Sequence, residues 1–170
     1  MSSLIATEMP EANPSPALLA LADKAAQRRH AGLLYAGEVT PQEAYAFAQQ
    51  EGGLIVDVRT VPEWQFVGVP DLSATRAKLA TICWKLYPDF TTNTRFADQL
   101  ATVPGTSKHT PIFFLCLSGG RSLDAAAAMT AQGYQYCFNV TDGFEGEPDA
   151  SGHRGTGGGW KAQQLPWKQG

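Results

Sequence analysis

Apolar and polar positions along the chain fall into short runs of two kinds, one with helical spacing and one nearly continuous. In PALLALADKAAQRRHAG, Leu18, Leu21 and Ala25 recur at helical spacing and Gly32 supplies a stop. This predicts an N-terminal helix over 17–32, packed on the main domain through one face. Residues 1–16, rich in Pro, Ser and Glu, read as a disordered lead-in. Thr40-Pro41-Gln42-Glu43 is a capping-box pattern, and Ala44, Phe47 and Ala48 give the helix behind it one apolar face. After Gly52-Gly53, the run LIVDV is short, apolar and β-branched, the character of a strand buried on both faces. A looser segment follows through Pro62, Pro70 and Pro88. NTRFADQLATV predicts a helix over 93–103 with Asn93 as cap and Pro104-Gly105 as stop. PIFFLC is a second buried strand. Ser122 is placed to cap a third helix, LDAAAAMTAQ, which Gly133 ends, and YQYCFNV is a third strand.

Helices alternating with buried strands predict an α/β layered fold with a largely parallel sheet. From Asp142 to Gly170 the chain is rich in Gly, Pro and Trp without periodicity. That tail reads as ordered but irregular, wrapping the domain through Phe144, Trp160 and Trp167.

Composition narrows the chemistry. At 170 residues the chain reads as one domain with a real core. A formal charge of -3 gives no general attraction to nucleic acid or anionic membrane, so an anionic substrate needs local groups to hold it. No apolar stretch reaches the length of a membrane span, and the first residues lack the features of a secretory signal. Cys83, Cys116 and Cys137 form neither a CxxC pair nor an even framework, which predicts reduced thiols in a cytoplasmic compartment. The three histidines show no metal-binding spacing, and Gly157-Gly158-Gly159 lacks both a preceding strand and a GK[ST].

One stretch concentrates the reactive chemistry: FFLCLSGGRS, residues 113–122. In a parallel α/β sheet, ligands bind where strands end and loops lead into helices, and Cys116 sits at such an end. Gly119 and Gly120 let the backbone turn its N–H groups into one concavity, and the helix beginning at Ser122 adds positive potential. These groups favour an anion and are expected to hold Cys116 as thiolate. Arg121 adds a fixed positive charge, or a grip on an anionic substrate. Cys83 and Cys137 have no such setting and read as inert.

On these residues the sequence resembles the rhodanese (sulfurtransferase) family. The first element of resemblance is the loop Cys116-Leu117-Ser118-Gly119-Gly120-Arg121 followed by Ser122 and a helix. The second is Asp57-Val58-Arg59 at the end of the first buried strand, then Glu63-Trp64 and Gly68. The third is Gly133-Tyr134 before the last strand, then Asn139-Val140 and Gly143-Phe144. The resemblance spans residues 33–145 and leaves 146–170 as a C-terminal extension of the kind found in some single-domain bacterial members. It implies a three-layer fold, with a central, mainly parallel sheet of about five strands and helices on both faces.

It also implies ping-pong sulfur transfer through a Cys116 persulfide, with no other cofactor and no metal. The donor would be thiosulfate or a persulfide, and the acceptor a thiol, cyanide or a protein. Nucleic acid and membrane play no part, and the chain would be a monomer or weak homodimer. The amides of Leu117, Ser118, Gly119, Gly120, Arg121 and Ser122 would stabilise the sulfur anions, and Arg121 would anchor the loop. Asp57, Arg59 and Glu63 would support it, with Arg59 and Glu63 as an ion pair. Loops of the tyrosine-phosphatase type carry one residue more between cysteine and arginine, so the cargo here is expected to be sulfur rather than phosphoryl. Two departures stand out: Leu117 occupies a position where many thiosulfate-using members carry Arg, and Gly68-Val69-Pro70 lacks the family's histidine. A sulfur-carrier or regulatory binding module is the competing reading, and a small phosphatase or arsenate reductase a weaker one.

Overall fold

A computed structural model describes residues 13–170, so most of the expected disordered lead-in lies outside the described residues. Helix α1 (Pro16–Ala26) starts where the Ser15 hydroxyl accepts the Leu18 N–H at 3.1 Å. It ends well before Gly32. Leu18 and Ala25 are its buried residues, and the next positions on that stripe are the exposed Arg28 and Arg29. With nothing apolar left to bury, further turns gain no packing energy. Strand β1 (Gly37–Val39) then leads into α2 (Pro41–Gln50). There Thr40 Oγ1 accepts the Glu43 N–H at 3.1 Å and Glu43 Oε1 accepts the Thr40 N–H at 2.9 Å, a reciprocal capping box.

The fully buried β2 (Leu54–Asp57) is followed by more structure than its proline-punctuated sequence predicts. Residues 58–92 hold α3 (Val61–Phe66), β3 (Val69–Pro70), β4 (Lys78–Thr81), β5 (Lys85–Leu86) and β6 (Thr91–Thr92). Helix α4 (Phe96–Ala101) is shorter than expected and Asn93 precedes it rather than capping it. The Asn93 Oδ1 accepts the Arg95 N–H, while its Nδ2 donates to the Cys83 carbonyl and Gln99 Oε1. Strand β7 (Ile112–Leu115), helix α5 (Gly120–Ala131) and strand β8 (Cys137–Val140) complete the domain.

Five strands make one parallel sheet in the order β1-β8-β7-β2-β4. On one face, α1 and α2 pack against Val39, Ile55, Phe113 and Phe138. On the other, α4 and α5 pack against Leu54, Val56, Phe114 and Cys116. The fold is therefore α/β in three layers. β4 escapes the hydrophobic pattern because it is an edge strand with no fully buried residue, whereas β2 and β7 are buried throughout.

The C-terminal tail is more regular than its composition predicts. It forms α6 (Gly159–Ala162) and β9 (Trp167–Lys168), the latter antiparallel to β3. Trp160 is fully buried, edge-on to Tyr45, and its Nε1 donates to the Pro166 carbonyl at 2.7 Å. Trp167 stays half-exposed against Phe144. Among the described residues, no helix is long and apolar enough to cross a membrane.

Candidate active site

β2 and β7 run side by side with Asp57 opposite Leu115, so Arg59 and the cysteine loop leave the same edge of the sheet. The Val58 N–H donates to the Leu115 carbonyl at 2.9 Å, continuing the ladder to the point where both chains turn. Cys116 is 1 % exposed. Gly119, at φ +114°, makes the turn that β-carbon-bearing residues avoid. Its N–H donates to Cys116 Sγ at 3.1 Å. The outward carbonyls of the loop are taken up by the turn after β8. Phe144 N–H donates to the Cys116 carbonyl at 2.8 Å, and Glu145 and Gly146 N–H groups donate to the Leu117 carbonyl. A β-carbon at Gly143 would collide with the Cys116 and Leu117 backbone, so that position requires glycine.

Ser122 does not cap α5. Gly119 holds the cap position, and Ser122 lies buried in the first turn with its Oγ 3.1 Å from Cys116 Sγ and 2.6 Å from Asn139 Oδ1. Among the described residues, Sγ thus has two hydrogen-bonding neighbours, the Gly119 amide and the Ser122 hydroxyl.

The expected Arg59–Glu63 pair does not form. Arg59 instead grips Asp57, with Nε to Oδ1 at 2.9 Å and Nη2 to Oδ2 at 2.7 Å, and both side chains are completely buried. Arg59 Nη2 also donates to the Gly68 carbonyl, and its guanidinium stacks on Phe144 at 4.3 Å. Glu63 pairs with Arg121 across 58 residues of chain, Nη1 to Oε1 at 2.8 Å and Nη2 to Oε2 at 2.9 Å. The Thr60 N–H and hydroxyl also donate to Glu63 Oε1. Burial alone would raise the Glu63 carboxyl, but the Arg121 guanidinium and the Thr60 donors outweigh it and hold it below its ordinary value. Arg121 is thereby a latch between α5 and α3 rather than an uncommitted charge beside the sulfur.

Two further buried polar residues belong to this site. Asn139, in the middle of β8, and Glu38, in β1, are 2 % and 5 % exposed. Asn139 Nδ2 donates to Glu38 Oε1 at 2.9 Å and to the Gly119 carbonyl at 3.2 Å. The signal was present in the sequence: a polar side chain inside a strand covered on both faces must have a hydrogen-bond partner. The other cysteines are differently placed. Burial pushes the Cys137 thiol up to about 11, with Thr130 and Lys108 opposing it. Burial also raises the Cys83 thiol, which lines a cavity of about 420 Å³ with Trp64, Asn93 and Gln99 and is separate from the loop. Among the described residues, no cluster of His, Cys, Asp and Glu could hold a metal ion.

A model of the family described as Rhodanese-like domain matches residues 40–146. The chain belongs to that family. This rhodanese-like domain is 43 % identical to Rv0390 from M. tuberculosis, whose crystal structure it matches with a TM-score of 0.71, covering 81 % of this chain and 100 % of that one. It is 39 % identical over 118 residues to an uncharacterized protein of Rickettsia conorii, covering 69 % of this chain and 85 % of the relative. It shares its fold with the polysulfide-sulfur transferase homodimer of Wolinella succinogenes, at 18 % identity and a TM-score of 0.52, covering 89 % of this chain and 86 % of that one.

Proposed function

We propose that this rhodanese-like domain is a sulfurtransferase that carries sulfane sulfur on Cys116. The observation that carries this reading is the placement of Cys116 Sγ. It is buried at a strand end, takes the Gly119 N–H at 3.1 Å and faces the Ser122 hydroxyl at the same distance. In the first half-reaction the Cys116 thiolate attacks the outer sulfur of the donor. A new S–S bond forms at Sγ, the donor's own S–S bond breaks, and sulfite or a thiolate leaves with the bonding pair. In the second, an acceptor thiol or cyanide attacks the outer sulfur and returns Cys116 as thiolate. The Gly119 amide at the sulfur would stabilise the anionic charge in both half-reactions. The three free cysteines support a reducing, cytoplasmic compartment.

Donor choice follows from charge. Arg121 is the one cation between Cys116 and Ser122, and Glu63 neutralises it. Leu117 adds none. The loop therefore favours a thiol-bound persulfide over thiosulfate, a dianion. Incubation with glutathione persulfide should add about 32 Da, one sulfur, to Cys116, and Cys116→Ser should fold but take up nothing. Absence of the adduct from wild type with both persulfide and thiosulfate would sink the proposal. The carrier reading draws on the same neutralised loop, and steady turnover of thiosulfate with cyanide would count against it.

A further inference from the structure

Glu38 is a buried carboxylate three hydrogen bonds away from Cys116, through Asn139 and Ser122, and nothing in sulfur transfer as described above uses it. Its Oε1 accepts from Asn139 Nδ2 at 2.9 Å and Thr141 Oγ1 at 3.2 Å, and its Oε2 accepts from the Tyr35 hydroxyl at 2.8 Å. Tyr35 accepts the His30 N–H at 2.9 Å. Burial and the neighbouring Glu38 push its phenol up to about 12, so it remains a donor throughout the neutral range. The exposed His30 imidazole lies 3.6 Å from Oε1.

Counting donors and acceptors decides the orientation of every group. Both hydrogens of Asn139 Nδ2 face acceptors, the Glu38 carboxylate and the Gly119 carbonyl. Its Oδ1 must then face Ser122 and needs a donor. Ser122 has one proton, and at 2.6 Å it goes to Asn139. Ser122 Oγ is placed to donate to Cys116 Sγ at 3.1 Å as well. With its one proton held in the shorter bond to Asn139, it is left facing the sulfur with a lone pair. A lone pair receives an S–H and repels a thiolate.

We propose that Glu38 and Asn139 are positioning residues for Cys116: they commit the Ser122 proton to Asn139, so that Ser122 receives the cysteine proton instead of donating to its sulfur. For Ser122 to donate to an anionic sulfur it must turn, leaving Asn139 Oδ1 unpaired in a buried site. The Ser122 proton is thereby withheld from Cys116 Sγ, which keeps the Gly119 N–H as its donor. The inference rests on Cys116 being the reacting sulfur. The other charged groups on the neighbouring elements are Arg121 of α5 with Glu63 of α3 and the Asp57–Arg59 pair at the end of β2. The variants below leave all of them unchanged.

Iodoacetamide reacts with thiolate, and peptide mass spectrometry reads Cys116, Cys83 and Cys137 separately. Asn139→Val removes the competing acceptor and frees the Ser122 proton for sulfur. Alkylation of Cys116 at pH 7 should rise about three- to tenfold, the weight of one hydrogen bond. The high-pH plateau should match wild type, and the buried Cys137 should keep its wild-type rate. Glu38→Gln, which keeps size and shape but loosens the hold on the amide, should show a smaller gain in the same direction. An unchanged or slower Cys116 rate in a folded variant overturns the proposal. So does a gain shared by Cys137, or one persisting on the plateau, since either reports loosened packing. If Asn139→Val does not fold, Glu38→Gln decides by the same criteria. The readout needs only a thiol, so its result stands apart from that of the persulfide assay.

Discussion

Two carboxylate–arginine pairs sit within a few residues of the end of β2, and they do different work. Asp57–Arg59 is local in sequence, fully buried and bidentate, and it reaches the Gly68 carbonyl and the Phe144 ring. Glu63–Arg121 is equally well formed but spans 58 residues, and its side chains keep 20 % and 19 % of their exposure. The first pair ties β2 to the segment that carries the C-terminal tail. The second ties the cysteine loop to α3. Burial sets how much each is worth, because removing one partner strands a charge whose cost depends on how much water can reach it.

The largest expected effect is at the buried pair. Arg59→Met leaves Asp57 unpaired and should cost about 3–5 kcal/mol in urea-unfolding stability. The double variant Asp57→Leu/Arg59→Met should recover most of that loss, since no charge then remains buried. Failure of the double variant to recover would show that Arg59 acts through more than Asp57. Glu63→Gln leaves Arg121 partly hydrated, so about 1–2 kcal/mol is expected, between the surface and buried cases. Sulfur uptake by Cys116 should also slow as the loop loosens. A loss as large as that of Arg59→Met would erase the distinction between the two pairs.

The pH response sharpens the contrast further. The folded Glu63 carboxyl lies below its ordinary value of 4.5, so its stabilisation is fully present above that value and is lost as pH falls through the lowered one. The difference in melting temperature between wild type and Glu63→Gln should be present at pH 7 and close toward pH 3. A gap that stays constant with pH would show that ionisation of Glu63 does not stabilise the fold. The smallest stability effect belongs to Leu117→Arg, a half-buried loop position where about 0.5 kcal/mol either way is expected. It adds a cation that Glu63 does not neutralise, and thiosulfate uptake, followed by the Cys116 adduct, should rise relative to persulfide uptake.

The buried strands were legible because their apolar runs need no partner to be recognised, and the Thr40–Glu43 box because both partners lie within one turn. Thr60 and Glu63 repeat that spacing, a signal that could have placed α3 in the supposedly loose segment. β4 was not legible: an edge strand with mixed exposure has no run to read. Ser122 looked like a helix cap because serine before an alanine-rich helix usually is one. Gly119 took that position because only a glycine could adopt its φ, and this moved Ser122 one turn inward, beneath the sulfur.

By itself the sequence determined the alternation of helix and strand, the family, and the position of a lone cysteine between a buried strand and a glycine turn. These depend on neighbours along the chain. Tertiary structure decided who pairs with whom. Arg59 chose Asp57 over Glu63, Arg121 was taken by Glu63, and Ser122 came to lie between Cys116 and an Asn139 already held by Glu38. Those choices follow from the strand order β1-β8-β7-β2-β4, which brings distant polar groups together where water is excluded. In such a place each donor and acceptor must find a partner, and the partner need not be near in sequence.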